Sequence, residues 1–436
     1  MNAPAPRIVP NAHDRYRAMF HALHLPDNAL TTLRTAALER FLDAGFPTQR
    51  DEAWKYTNLR RLESRHFALP EAAALPGDES LWIAHAGARR VLVDGWSNPA
   101  LSSAMAYPPG VTVLTLGQWL ANSPEQAAEF LRQHAPDPSA FSSLNQALLG
   151  DGIVVDIGEN VVCDLPLYLV HHWSSSGRMS HPRIIVRAAR NSRCVLIEHY
   201  VGAAAAESFT NTVTSIAAGG GAHIVHYRVQ QESANSFHIG HTQVSLEAHA
   251  GYELYELAFG ASLSRVATHV ALRGAGAHAS LSGLLMPGGT QHLDTFTCIE
   301  HAVGHTSSSE EYRGIADGRG RAVFRGKVIV RPDAQHIDAR QSIRNLLLSP
   351  TAEIDSRPEL EIYANEVQCS HGATTGQLDS AALFYLRSRG MSEAQARSVL
   401  IRAFAESIVT KLEHAAVAQF IERQLEQRFA GLEVKT

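Results

Sequence analysis

Between residues 153 and 330 one short apolar or alternating segment follows another, from 153–157 through 223–229 to 322–330, and no helical periodicity intervenes. That texture constrains the fold more than any other feature, because period-two runs broken by small residues make strands. Turns of small or polar residues fall near Asn191, Gly219, His249 and Ala275. Their spacing of roughly 26–30 residues is the repeat of a solenoid in which each coil contributes two strands and their corners. Stacked coils sharing one elongated core suit brief strands and irregular turns better than a large β-sandwich or jelly roll, the second choice.

The two ends read differently. Tyr16, Met19, Phe20 and Leu23 recur at helical spacing, as do Leu30, Leu33, Ala37, Leu38, Phe41 and Leu42, and Gly45, Phe46 and Pro47 end that second helix. Trp54 and Tyr56 lie in a polar stretch after it, where they would dock a helical region onto the next. Amphipathic helices are expected at 118–133 and 139–149. Beyond residue 379 the chain turns helical again. Asp379 or Ser380 caps the first helix, Ser392 and Gln395 form a capping box for the second, and a third runs over 414–429. Val399, Leu400, Ala403, Phe404 and Ile408 are read as the buried stripe of the second. The expected organisation is therefore an N-terminal helical region at 1–80, a β-helix core at 81–377 with helical insertions near 118–149, and a C-terminal helical domain at 378–436. Helices at solenoid ends can cover open backbone or dock another subunit.

Chemistry concentrates where strands give way to helices. Cys369 and His371 are two apart, so on an extended backbone both side chains leave one face and could reach the same metal, cluster or sulfur species. Taken alone, a Cys-x-His pair is more often a small apolar residue beside a hydrogen-bonded histidine. Gly372 follows and is expected to loosen the backbone. Other motifs fail on spacing. In the segment from Gly320 to Val328, five residues separate the glycines of a would-be phosphate loop, and Val328 stands where a magnesium-binding hydroxyl is needed. The glycine-rich run at 274–279 is followed by strand residues, so no helix N-terminus would meet a phosphate. Cys298, Glu300, His301 and His305 crowd together, but on a strand His301 points away from the first two. Hydrolase elbows and zinc-protease helices are absent.

The bulk composition narrows the partners. A net charge of −5 and a pI near 6.5 give no field for nucleic acid, and no polybasic block would hold an acidic membrane. No run of about 18 apolar residues occurs and residues 1–10 hold no apolar leader, so the reading is of a cytoplasmic protein. The four cysteines, Cys163, Cys194, Cys298 and Cys369, contain no Cys-x-x-Cys pair and cannot enclose a cluster unaided.

Several blocks together carry a resemblance. They are Gly45-Phe-Pro with Glu52-Ala-Trp-Lys-Tyr-Thr57; Leu144-Asn-Gln-Ala147 with Asp151-Gly152; Tyr312-Arg-Gly314; the run from Gly320 to Lys327; Asn345-Leu-Leu-Leu348; Pro358-Glu-Leu-Glu-Ile-Tyr363; Cys369-Ser-His-Gly-Ala-Thr374; and Leu383-Phe-Tyr-Leu-Arg-Ser-Arg-Gly390. The chain resembles the SufB/SufD family of the SUF iron–sulfur cluster assembly machinery, and its 369–379 block resembles the SufD branch rather than the SufB one. The resemblance implies a mainly β fold, a right-handed parallel β-helix with helical ends, acting as a non-catalytic scaffold. It further implies a heterodimer with SufB through the core and a SufC ATPase docked on the C-terminal helices. In that family the nascent cluster is thought to form at the SufB and SufD interface, with a histidine matching His371 as ligand and Cys369 at a neighbouring position. A homodimer in the absence of SufB stays open, and reduced flavin, associated with the family's assembled complex, finds no supporting site here. The rival readings are a SufB-like paralogue and a solenoid enzyme acting on polysaccharide.

Overall fold

The computed structural model describes residues 12–71, 78–103, 105–136, 138–203 and 205–429. The leader question at residues 1–10 therefore lies outside the described residues.

The core is the expected parallel solenoid. Successive strands alternate between two ten-stranded sheets, so that each coil lays one strand on each. His223–Gln231, Gly251–Ala258 and His278–Leu285 are consecutive in the first sheet, and Phe237–Leu246, Leu263–Leu272 and His292–His301 are consecutive in the second. Pairing between coils is parallel and in register throughout this region.

One corner of each coil is built from a residue in the left-handed region. Asn160, Asn191, Gly221, His249, Gly276, His305 and His336 have φ between 56° and 76°. Asn and Gly accept that conformation readily, which is why a small or polar residue recurs at the corner. The backbone N–H groups of Asn191, His249 and His305 donate to carbonyls of the following coil, those of Gly220, Ala275 and Gln335, at 2.9–3.0 Å. Stacked Asn191 and Asn160 add a side-chain bond of 3.0 Å.

Inside the solenoid, Leu254, Leu281 and Ile343 of the first sheet pack against Val244, Val270, Ile299 and Phe324 of the second. The two ends are finished unequally. At the start, Trp96–Ser97 and Val111–Thr115 run antiparallel to their neighbours and blunt the edges. At the finish, Glu353–Ile362 and Val367–Gly376 are each the last strand of a sheet. Glu393–Val409 and Ala415–Phe429 lie on the outer face of the first sheet, where Ile401, Ala405, Ile408, Val417 and Ile421 pack among Ile197, Tyr227, Val229 and Leu257.

Several details depart from the sequence reading. The stripe of the second C-terminal helix is Ala396, Ile401, Ala405 and Ile408, whereas Ala403 and Val399 are exposed. The expected set mixed two faces of the helix; only residues spaced by four and three share the side that meets the sheet. The helix expected at 118–133 is two, Leu116–Asn122 and Pro124–Gln133, because Pro124 cannot continue the first but starts the second. Gly372 does not loosen the chain: the strand continues through it to Gly376 in register with its neighbour. Ser307–Ala316 and Ile337–Leu347 are strands that their polar composition concealed. Trp54 and its neighbours do dock the N-terminal helices, with the Arg265 guanidinium 4.2 Å over the Trp54 ring and bonded to the Ala53 carbonyl at 2.7 Å.

Candidate functional site

Cys369 and His371 lie on Val367–Gly376, the last strand of the first sheet. A strand's pleat alternates its faces, and register fixes which residues stack between coils. Cys369 follows Tyr252, Ala279, Ser308 and Ala339 along one column, and His371 follows His226, Leu254, Leu281, Glu310 and Gln341 along the next. Both columns belong to the inward face, since Tyr252, Leu254, Leu281 and Ala279 are core residues. The pair is therefore interior in register but accessible in fact. No coil follows, so His371 is exposed and Cys369 half-buried. Burial, followed by the nearby Asp338 carboxylate, pushes the Cys369 thiol up from its ordinary range. A raised thiol gives up less readily the thiolate that binds a metal.

The next inward column, which passes through Gly283, Tyr312 and Ile343 to end at Ala373, is unusually polar for a core. Glu198, Arg228 and Glu256 stack in consecutive coils, alternating in charge. Glu198 accepts from Tyr200 at 2.8 Å and Thr214 at 2.9 Å, with His226 at 3.5 Å. Arg228 donates to Thr242 at 3.2 Å and to His238 Nε2 at 2.7 Å. That bond leaves the proton of neutral His238 on Nδ1, which donates to Glu232 at 2.8 Å. Gly240 makes room for the guanidinium, for a Cβ there would lie 2.2 Å from its Nη2. Nearer the open end, Glu310 accepts from Gln341 at 2.5 Å, and burial pushes its carboxyl up to about 7. None of these residues was picked out in the sequence.

Comparison with known proteins bears on the whole chain. The family model for the SUF-system iron–sulfur cluster assembly SufBD core domain matches residues 171–404, a span that holds both Cys369 and His371. A SufBD family protein of Synechocystis is 32% identical over 90% of this chain and 89% of its own length. The chain belongs to the SufB/SufD family. Within that family, the iron–sulfur cluster assembly protein SufD of Escherichia coli is 28% identical over 97% of this chain and 99% of its own. A SufBD family protein of Mycobacterium tuberculosis is 28% identical over 86% of the chain. These matches make the chain a SufD-type member and dispose of the polysaccharide-enzyme reading.

The other motifs find structural places. The run from Gly320 to Val328 enters the strand Arg321–Val330, and Gly276 is a corner. Cys298, Glu300, His301 and His305 do not converge. Glu300 pairs with Arg331, His301 is buried against Thr306 and Ser308, and His305 occupies a corner. Among the described residues no group of three or more His, Cys, Asp and Glu side chains could hold a metal. No helix among them is long and apolar enough to cross a membrane.

The buried histidines set an acid limit on the fold. Burial pushes His171, His292 and His301 down to about 4 and His181, His199 and His241 down to about 3. Each is neutral when folded but binds a proton in the unfolded chain below about pH 6.5, so stability is full above that pH and falls as pH drops towards 4. Glu310, Glu256 and Asp151, raised chiefly by burial, work in the opposite sense. The lowered histidines outnumber the raised carboxyls, so the unfolded chain binds more protons than the folded one in this range and stability falls as pH falls. Guanidinium unfolding midpoints should therefore fall steeply between about pH 6.5 and pH 4.5. A flat profile there would show that these rings are charged or hydrated in the folded chain.

Proposed function

We propose that this chain is a non-catalytic scaffold subunit of a cytoplasmic SUF complex, presenting His371 to a nascent iron–sulfur cluster that it shares with a SufB-type partner. The observation that carries this reading is the uncapped last coil, where Cys369 and His371 come off one inward face with no further coil above them. One histidine and one thiol are too few ligands for a cluster, so the remainder must come from a partner across the open end. The unpaired edges of Glu353–Ile362 and Val367–Gly376 offer that partner two rows of backbone groups. The cluster is cargo, assembled here and passed to apo-proteins.

A SufC-type ATPase supplies the nucleotide chemistry for which this sequence has no phosphate loop. Its proposed dock is the C-terminal helical segment. Ser380–Ser388 buries none of its residues, Phe384 and Tyr385 are 75% and 56% exposed, and Met391 and Val399 are exposed as well. Four large apolar side chains left exposed in one helical segment are what a docking partner would cover.

Anaerobic reconstitution with iron, a sulfur donor, SufB and SufC tests the reading. The absorption of a bound cluster should appear only when this chain and SufB are both present. Equal cluster yield from SufB and SufC without this chain would overturn it.

A further inference from the structure

The column beneath His371 holds an unfinished hydrogen-bond chain. Glu310, Gln341 and His371 are consecutive register partners in the last three coils of the first sheet, on the same inward face. Neighbouring strands lie about 4.8 Å apart, so side chains stacked this way reach one another as in amide ladders. Gln341 is 4% exposed. Its Nε2 is tied back to Glu310 Oε2, towards the preceding coil, and it sits against Gly326, where a Cβ would come within 2.9 Å. With the nitrogen end of the amide fixed, its Oε1 is left buried and without a partner among the described residues. A buried acceptor left unsatisfied costs about 1–3 kcal/mol. The next side chain along its column, towards the open end, is the His371 imidazole, which carries a ring N–H in either neutral tautomer.

We propose that Gln341, locked by Glu310, is a positioning residue for His371: its free Oε1 accepts one imidazole N–H and leaves the other ring nitrogen bare towards the open end. Metal-binding histidines characteristically donate their second N–H to a carbonyl or carboxylate, which fixes tautomer and ring orientation. The amide here is preformed, held by a partner one coil deeper. This inference rests on the proposed ligand role of His371 only for its effect on cluster assembly; the tautomer itself is a property of the chain alone.

The test uses the full chain carrying nitrogen-15 histidine, with the His371 signals assigned by their loss in His371→Asn. At about pH 8, where an ordinary imidazole is neutral, the wild-type ring should show the two well-separated nitrogen shifts of a single tautomer. Gln341→Met keeps the volume without the acceptor and should move both shifts towards the mixture shown by a free histidine side chain. Gln341→Glu keeps an acceptor but gives up the bond to Glu310, so, like Glu310→Gln, which unlocks the amide, it should give an intermediate pattern. If Gln341→Met does not fold, the departure of Glu310→Gln from the wild-type shifts decides. Identical His371 shifts in the wild type, Gln341→Met and Glu310→Gln would overturn the proposal. Shifts that move while cluster yield in the reconstituted complex stays unchanged would uphold the positioning and reject the ligand role of His371.

Discussion

Replacing His371 with alanine is expected to abolish cluster accumulation on the reconstituted complex while leaving the chain folded and its partners bound. The two halves of that expectation come from different facts. His371 is exposed on the last strand, so truncating it removes little packing and should change stability by no more than about 0.5 kcal/mol. As the proposed ligand, however, it has Cys369 beside it on that face among the described residues, and burial pushes that thiol up from its ordinary range. Loss of residues that merely orient a ligand costs about 10–100-fold in metal affinity, and loss of the ligand itself should exceed the upper figure. Cys369→Ser should cost less. The measurements are the visible absorption of the complex after anaerobic reconstitution, its elution as an intact assembly, and the thermal midpoint of the variant chain. Wild-type cluster yield from His371→Ala would remove this residue from the site.

The pairing of Cys369 with His371 was legible because a period of two needs only local information. What lies behind the pair was not. Gln341 and Glu310 stand under His371 one and two coils earlier, and only the register, set by the number of residues each coil spends at its corners, brings them into line. The solenoid was legible for the complementary reason, since the left-handed corners demand Gly, Asn or another tolerant residue at each repeat and so mark themselves in the sequence. Strands with charged inner faces escaped. Ser307–Ala316 reads as a polar loop, although Ser308, Glu310 and Tyr312 point inward and are buried. The rule that polar residues face water fails wherever the opposite sheet supplies partners, as Thr214 does for Glu198 and Thr295 for Glu256. The C-terminal helices were legible in their caps and lengths, but which face they bury depends on the sheet they meet.

The interior ladder should prove far more sensitive than the exposed site. Arg228→Met is expected to destabilise the chain by about 3–5 kcal/mol, because it strands buried carboxylates rather than merely losing a bond. Arg228 is 2% exposed and faces Glu198, Glu232 and Glu256. Burial opposes its charge, but the phenol of Tyr200 and these carboxylates outweigh that and hold its proton more firmly than usual. The Glu198 carboxyl is likewise held below its ordinary range, as the attraction of His226 and Arg228 exceeds the burial that would raise it. Removing the guanidinium takes from Glu198 and Glu232 the arginine that they share in a dry interior, and removes the proton donor to His238. A loss of this size is a large part of a typical domain's stability, so the variant should unfold at markedly lower denaturant or accumulate as aggregate. The mechanism has its own signature. Glu198→Gln in the Arg228→Met background should recover part of the loss, since it deletes one stranded charge, whereas the same substitution in the wild-type chain should be destabilising. Changes in sign of this kind mark a direct charge coupling, which a double-mutant cycle from denaturant midpoints would measure. Simple additivity of the two substitutions would mean that Arg228 acts by filling volume, and the alternating column of Glu198, Arg228 and Glu256 would then be a packing feature rather than an electrostatic one.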